Sequence, residues 1–321
     1  MPLDSLHGTM LYAYLPYRPC VASLLGLLLV TTAACAQNSR PQNQNPDPSL
    51  PPPTAPYAFD QPNALFTLPS SLEEISGLTV LDEQTLGAIQ DEKGRLYVIN
   101  LNTGTVEDDP AFDENGDYED LARVGDRVFV LRSDGTLFEI HDWRAEKLET
   151  TRHKTPLSPK YDTEGLVYDP AHARLLIACK EYAGKGRKDQ KVIFAFDLEN
   201  NQLVDEPVFT IDGAAFNEQV EQDDGLSERI RRALEPAVDL SGFKPSALAL
   251  HPVTGALYVL SSVRQVIVVL SPDGAMAAVW SLPENLFRQP EGMTFLPNGD
   301  LFIASEGDGK EAVLARFNFQ P

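Results

Sequence analysis

The chain has 321 residues, of which 43 % are hydrophobic, enough for a sizeable core and against disorder of the whole. Against 47 Asp plus Glu stand only 26 Lys plus Arg, a formal net charge of −21 that argues against nucleic acid or anionic lipid as the main partner. Cations, basic ligands and neutral partners remain.

Residues 1–36 differ in composition from the rest of the chain. Arg18 precedes an apolar run from Val21 to Val30, then the small residues Thr31 to Ala36, the pattern of an export signal. The apolar run is too short for a comfortable membrane span of roughly 20 residues. Thr32-Ala33-Ala34-Cys35 matches a lipobox except that Thr32 stands where Leu is usual. Two outcomes are open here: acylation of Cys35, giving an anchored lipoprotein, or plain signal cleavage. Residues 37–57, rich in Gln, Asn and Pro with three consecutive prolines at Pro51, Pro52 and Pro53, read as a tether ahead of a domain spanning 58–321. With Cys20 in the signal and Cys35 at its end, Cys179 is the one cysteine left in the domain, so no disulfide framework exists. Cys179 reads as a buried apolar residue of the strand LLIAC.

From about Asn63 onward, Asp-Gly and Asn-Gly turns punctuate short runs rich in Val, Ile, Leu, Phe and Tyr. One segment recurs: SGLTVLD at Ser76, EDLARVGD at Glu119, EGLVYDP at Glu164, SALALHP at Ser246 and EGMTFLP at Glu291, at offsets of 43, 45, 82 and 45. Each is followed by a second apolar strand, such as RLLIACKE or DLFIASE, then by a third and a weaker fourth. Four antiparallel strands in this period predict an all-β propeller blade. The long interval reads as one blade plus a helical insertion near 214–240, with a helix over Asp223 to Pro236, so five blades are expected and six are the alternative. The last unit lacks its fourth strand, whereas ALFTLP at Ala64 to Pro69 is a spare strand, so an N-terminal strand should close the ring.

In such a blade the innermost strand begins, and the next one ends, at the same mouth of the central channel. Ser76, Glu119, Glu164, Ser246 and Glu291 should therefore ring one mouth, joined by Asp91, Glu181, Ser262 and Glu306, with Lys180 and Arg264 nearby. Crowded carboxylates raise one another's pKa, so the ring needs compensation from a hard cation such as Ca²⁺, from Lys or Arg, or from shared protons. Glu119, Glu164, Glu291, Glu181, Glu306 and Asp91 are the candidate ligands of such an ion. The acidic stretch Asp108 to Asp120 fails as a calcium loop because Tyr118 stands where Gly is required, and reads as a solvated turn. The histidines His7, His141, His153, His172 and His251 form no zinc spacing, and no nucleophile elbow or phosphate loop is present.

The EGL and EGM segments, DYEDL at Asp117 to Leu121, KPSALALHP at Lys244 to Pro252 and QPEGMTFLPNGDLFIASE at Gln289 to Glu306 resemble the SdiA-regulated, YjiK-like family of envelope β-propellers. The resemblance implies a membrane-associated or periplasmic propeller. It also implies links of some members to calcium, and no established catalytic activity. Carried over by position, Glu119, Glu164 and Glu291 are the channel-mouth acids, while Ser76 and Ser246 lower the charge relative to a five-acid ring. The expected function is a non-enzymatic binding or sensing module at the cell envelope holding Ca²⁺ or a small ligand. A metal-dependent hydrolase and a scaffold for an envelope protein partner are the competing readings.

Overall fold

The structure, a computed structural model, describes residues 55–222 and 242–321. The export signal, Cys35, most of the tether and the helix expected over 223–236 lie outside the described residues.

The first strand, β1 (Ala64–Thr67), precedes the first repeat and a short 3-10 turn. Blade 1 then runs β2 (Ile75–Val80), β3 (Thr85–Gln90), β4 (Tyr97–Asn100) and β5 (Val106–Asp108). Blade 2 is β6 (Tyr118–Val124), β7 (Arg127–Arg132), β8 (Leu137–Ile140) and β9 (Thr150–His153). Blade 3 is β10 (Thr163–Asp169), β11 (Arg174–Cys179) and β12 (Gln190–Asp197), with two short outer strands, β13 (Gln202–Leu203) and β14 (Phe209–Asp212), both paired to β12. Blade 4 is β15 (Pro245–Leu250), β16 (Leu257–Ser261), β17 (Val266–Leu270) and β18 (Met276–Ser281). Blade 5 is β19 (Gln289–Phe295), β20 (Leu301–Glu306) and β21 (Val313–Phe317), and its outer strand is β1.

The propeller thus has five blades, and the long interval between repeats carries a helix, α1 (Gly213–Gln222), that starts directly after β14. Asp212 caps it, accepting from the Ala214 amide at 2.9 Å. Phe216 of α1 packs against Phe243, ring centroids 5.5 Å apart, in the apolar layer between blades 3 and 4. Tight turns elsewhere use the glycines that the sequence supplies: Gly274 and Gly299 take φ of 87° and 92° after Asp and Asn, a region costly for any residue with a β-carbon.

Ring closure comes from the spare strand. Ala64 to Thr67 pair antiparallel with Arg316 to Val313, so β21 presents no free edge. Upstream of β1 the chain is still packed: Tyr57 and Phe59 are buried in the layer between blades 4 and 5. The Tyr57 hydroxyl donates to the Gly299 carbonyl at 2.8 Å and lies 3.0 Å from His251 Nε2. Since His251 Nδ1 accepts from the amides of Val253 and Thr254, the imidazole proton sits on Nε2 and points at Tyr57. Tyr57, placed by sequence in the tether, therefore belongs to the folded domain.

The inner strands β2, β6, β10, β15 and β19 touch in ring order. Each carries a bulge at the opening position of the repeated segment, where Ser76, Glu119, Glu164, Ser246 and Glu291 have no cross-strand partner, followed at the second position by Gly77, Asp120, Gly165, Ala247 and Gly292. Space there is minimal. A β-carbon on Gly77 would lie 2.7 Å from the Asp120 Cα, one on Gly165 2.8 Å from Leu248, and one on Gly292 2.9 Å from Leu78. Asp120 alone brings a carboxylate to this waist, fully buried. Its Oδ2 accepts from the Leu166 amide at 2.7 Å and its Oδ1 from Leu121 at 2.8 Å, and the amides of Leu248 and Leu78 also bond to it. Burial raises its pKa well above the usual carboxylate range, and these four amides pull against that. One side chain so ties backbone from blades 1, 2, 3 and 4.

Asp120→Asn keeps the shape but turns an amide NH₂ towards N–H donors. The expected loss is about 1.5–3 kcal/mol in urea unfolding, the range for hydrogen bonds to a charged group. A loss below about 1 kcal/mol would show that the waist is held by close packing alone.

Candidate functional site

The repeat geometry puts the start of each inner strand and the end of its neighbour at one mouth. Glu164 and Glu291 are buried there, and Glu119 is half-buried. The two serines at equivalent openings serve the ring itself: Ser76 Oγ donates to the Tyr118 carbonyl at 2.8 Å and Ser246 Oγ to the Pro290 carbonyl at 3.0 Å. Ser246, Ser262 and Gln289 also hydrogen-bond Glu291.

Lys180, at the end of β11, is the ammonium embedded among these acids. Its Nζ lies 2.5 Å from Glu164 Oε1 and 4.0 Å from Asp162 Oδ2. Its charge also reaches Glu119 and Glu291, and its own pKa is raised by Glu164, Asp162 and Glu291 against the cost of burial. One cation does not offset the group. Burial raises the pKa of Glu119, with Glu164 adding to it; burial likewise raises Glu164 and Glu291, with Lys180 opposing. Glu306 is pushed up to about 8 by burial, then by Glu291, Asp91, Glu74 and Glu164. Burial and Glu74 push Asp91 up to about 6, and its Oδ1 is buried with no hydrogen-bond partner.

Four of the six predicted acids, Glu119, Glu164, Glu291 and Glu306, therefore sense one another across the mouth. Asp91 stands at their edge beside Glu306. Glu181 does not join them: it is exposed, ion-paired to Lys244, and its pKa is lowered mainly by that hydrogen bond. Among the described residues no three His, Cys, Asp or Glu side chains gather as a metal-binding group. The acidic stretch between blades 1 and 2 also spreads its carboxylates, with Asp109 on Arg95, Asp113 on Arg152 and Asp117 on the Ser133 hydroxyl. Cys179 is buried, and burial pushes its thiol up to about 12, which leaves no thiolate for nucleophilic work.

A second tier of the mouth was missed by reading only the segment openings. Two residues upstream of each opening stand Glu74, Asp117, Asp162, Lys244 and Gln289. Several of these appear as the charges acting on the inner acids: Asp162 and Asp117 on Glu119, Glu74 on Asp91 and Glu306. The signal was the constant offset of −2.

A model of the SdiA-regulated family matches residues 67–308. The chain belongs to the SdiA-regulated family. No curated protein matches the sequence. Among solved structures, glutaminyl cyclase from Myxococcus xanthus is similar at 14 % identity and TM-score 0.52, over 81 % of this chain and 96 % of that one. Virginiamycin B lyase from Staphylococcus aureus gives 14 % identity and TM-score 0.40, over 79 % and 73 %. A luciferin-regenerating enzyme gives 11 % identity and TM-score 0.44, over 80 % and 95 %. At such identities the first of these speaks for the propeller fold and the others add nothing to it.

Glu306 gives the fold a pH dependence. Its pKa rises from an ordinary 4.5 to about 8 on folding, so the native state holds an extra proton between those values. The resulting stability is full below about pH 4.5 and lost as pH rises through about 8. The melting temperature should fall between pH 6 and pH 9, and Glu306→Gln should flatten that fall. A slope unchanged by Glu306→Gln would mean that the glutamate is hydrated in solution.

Proposed function

We propose that this SdiA-regulated propeller is a non-enzymatic binding module, exported to the cell envelope, that takes a ligand with a cationic group into its acidic mouth. The observation that carries the reading is the excess of buried carboxyl groups over cations: Glu119, Glu164 and Glu291 share Lys180, and Glu306 adds a fourth acid beside Glu291 and Glu164. A cationic group brought among them offsets a repulsion that is otherwise relieved by protons. The export signal and tether read from residues 1–57 support the envelope location.

An organic ammonium suits the mouth better than a resident Ca²⁺. Calcium takes six to eight oxygens, whereas among the described residues no three carboxylates come close enough together to hold a metal ion. The geometry of Lys180 against Glu164 is that of an ammonium already accommodated there.

Calorimetric titration of the full-length chain with 1,4-diaminobutane, and separately with CaCl₂, tests this. Saturable diamine binding, tighter at pH 9 than at pH 6 because the acids ionise, and lost in a Glu291→Gln/Glu306→Gln variant, is expected. Binding of Ca²⁺ alone would move the assignment to a metal site. Heat from neither would overturn the cation reading and leave a scaffold.

A further inference from the structure

The opposite end of the same channel is a second depression with the reverse electrostatic character. Beyond the waist at Gly77, Asp120, Gly165 and Gly292 the inner strands diverge, and their far ends enclose a cavity of about 590 Å³. That volume is ordinary for a small-molecule pocket. The waist is filled by backbone and the Asp120 carboxylate, so the cavity does not communicate with the acidic mouth.

Its walls are largely apolar. Leu78, Leu121, Leu166, Leu248 and Met293 come from one position of the repeat, each in a different blade, and Phe295 adds an aromatic face. Polar side chains are in the minority. Thr79 Oγ1 is held by the Arg123 amide at 3.2 Å, and Asp169 accepts from Arg174 Nε and His172 Nδ1, both at 2.8 Å. These are satisfied.

Arg123 is different. It stands on β6 where Val80, Tyr168, Leu250 and Phe295 stand on the other inner strands, so the repeat does not require a cation there. Its Nε donates to the Gly125 carbonyl at 2.6 Å, and no carboxylate among the described residues pairs with its guanidinium. In a chain of net charge −21 that is an arginine spared from abundant partners while lining a cavity. The one carboxylate in the lining, Asp169, is bound to Arg174, so the side chains that line the cavity are net positive among apolar walls.

We infer that this cavity is a binding site for a small amphipathic carboxylate, its anionic head on the Arg123 guanidinium and its hydrocarbon body against the apolar walls. The apolar area supplies affinity without strong selectivity, and the guanidinium selects the charge and fixes the orientation. The site is separate from the acidic mouth in position and in the sign of its ligand.

The test uses the full-length chain with methyl-¹³C methionine and sodium decanoate as probe. Met293 lines the cavity whereas Met276, on β18, does not. Decanoate below its micelle concentration should shift the Met293 methyl resonance saturably and leave Met276 in place. Arg123→Gln should weaken binding by at least about tenfold, the loss of one charge-assisted pair, and Arg123→Lys by less. The unliganded Met293 resonance reports whether each variant keeps its fold. Decan-1-ol should bind equally to the wild type and to Arg123→Gln. No saturable shift at Met293, or equal decanoate affinity in folded Arg123→Gln, would overturn the proposal.

Discussion

The ring depends on how closely five inner strands can approach one axis. The limit is set at the second position of the repeated segment, where a β-carbon on Gly77, Gly165 or Gly292 would collide with the next strand. At that waist the axis-facing edges of the innermost strands have backbone amides with no further strand to pair with, and buried unpaired amides are costly. Asp120 answers the cost: its carboxylate collects amides of four blades at the point of closest approach. The same carboxylate blocks the channel, which is why the molecule has two separate ends instead of a pore.

Those ends differ in charge because the repeat places different residues at its start and its finish. At the start, acids recur at the opening position and two residues upstream, and Lys180 alone sits among the inner group. Charges of one sign held in partly buried positions store repulsion, and the system relieves it by taking up protons or a cation. At the finish, side chains are mostly apolar, and Arg123 with Arg174 outweighs Asp169. An overall charge of −21 therefore conceals a small positive pocket.

Much of the architecture was legible in the chain. The five recurrences of one segment gave the blades, and the orphan strand before the first gave the closure through β1 and β21, because a sheet edge without a partner is a liability that the sequence visibly provides for. The four inner acids were also legible, since register along a strand assigns each residue to one end. Less was readable where partners come from far along the chain. Tyr57 looks like the tail of a Pro-rich tether, yet its hydroxyl meets Gly299 and His251 and its ring meets Phe59, Phe295 and Phe319. Glu181 looks like the counterpart of Glu306, but the register Thr163↔Cys179 against Pro290↔Ser305 gives that place to Lys180, and Glu181, one residue further on, pairs with Lys244.

By itself the sequence determined the blade and the end of the strand at which a residue falls, and narrowed the count to five or six blades, because alternation, turn residues and period are local properties of a strand. The tertiary structure alone decided which charges meet and that, among the described residues, Arg123 has no carboxylate partner. Asp120 is one more acid in the most acidic stretch of the chain until four blades bring their amides to it. Arg123 is an ordinary strand residue until the far ends of five strands form a cavity around it. Burial, pairing and confinement are set by distances between segments that are remote in sequence, and those distances exist only once the ring has closed.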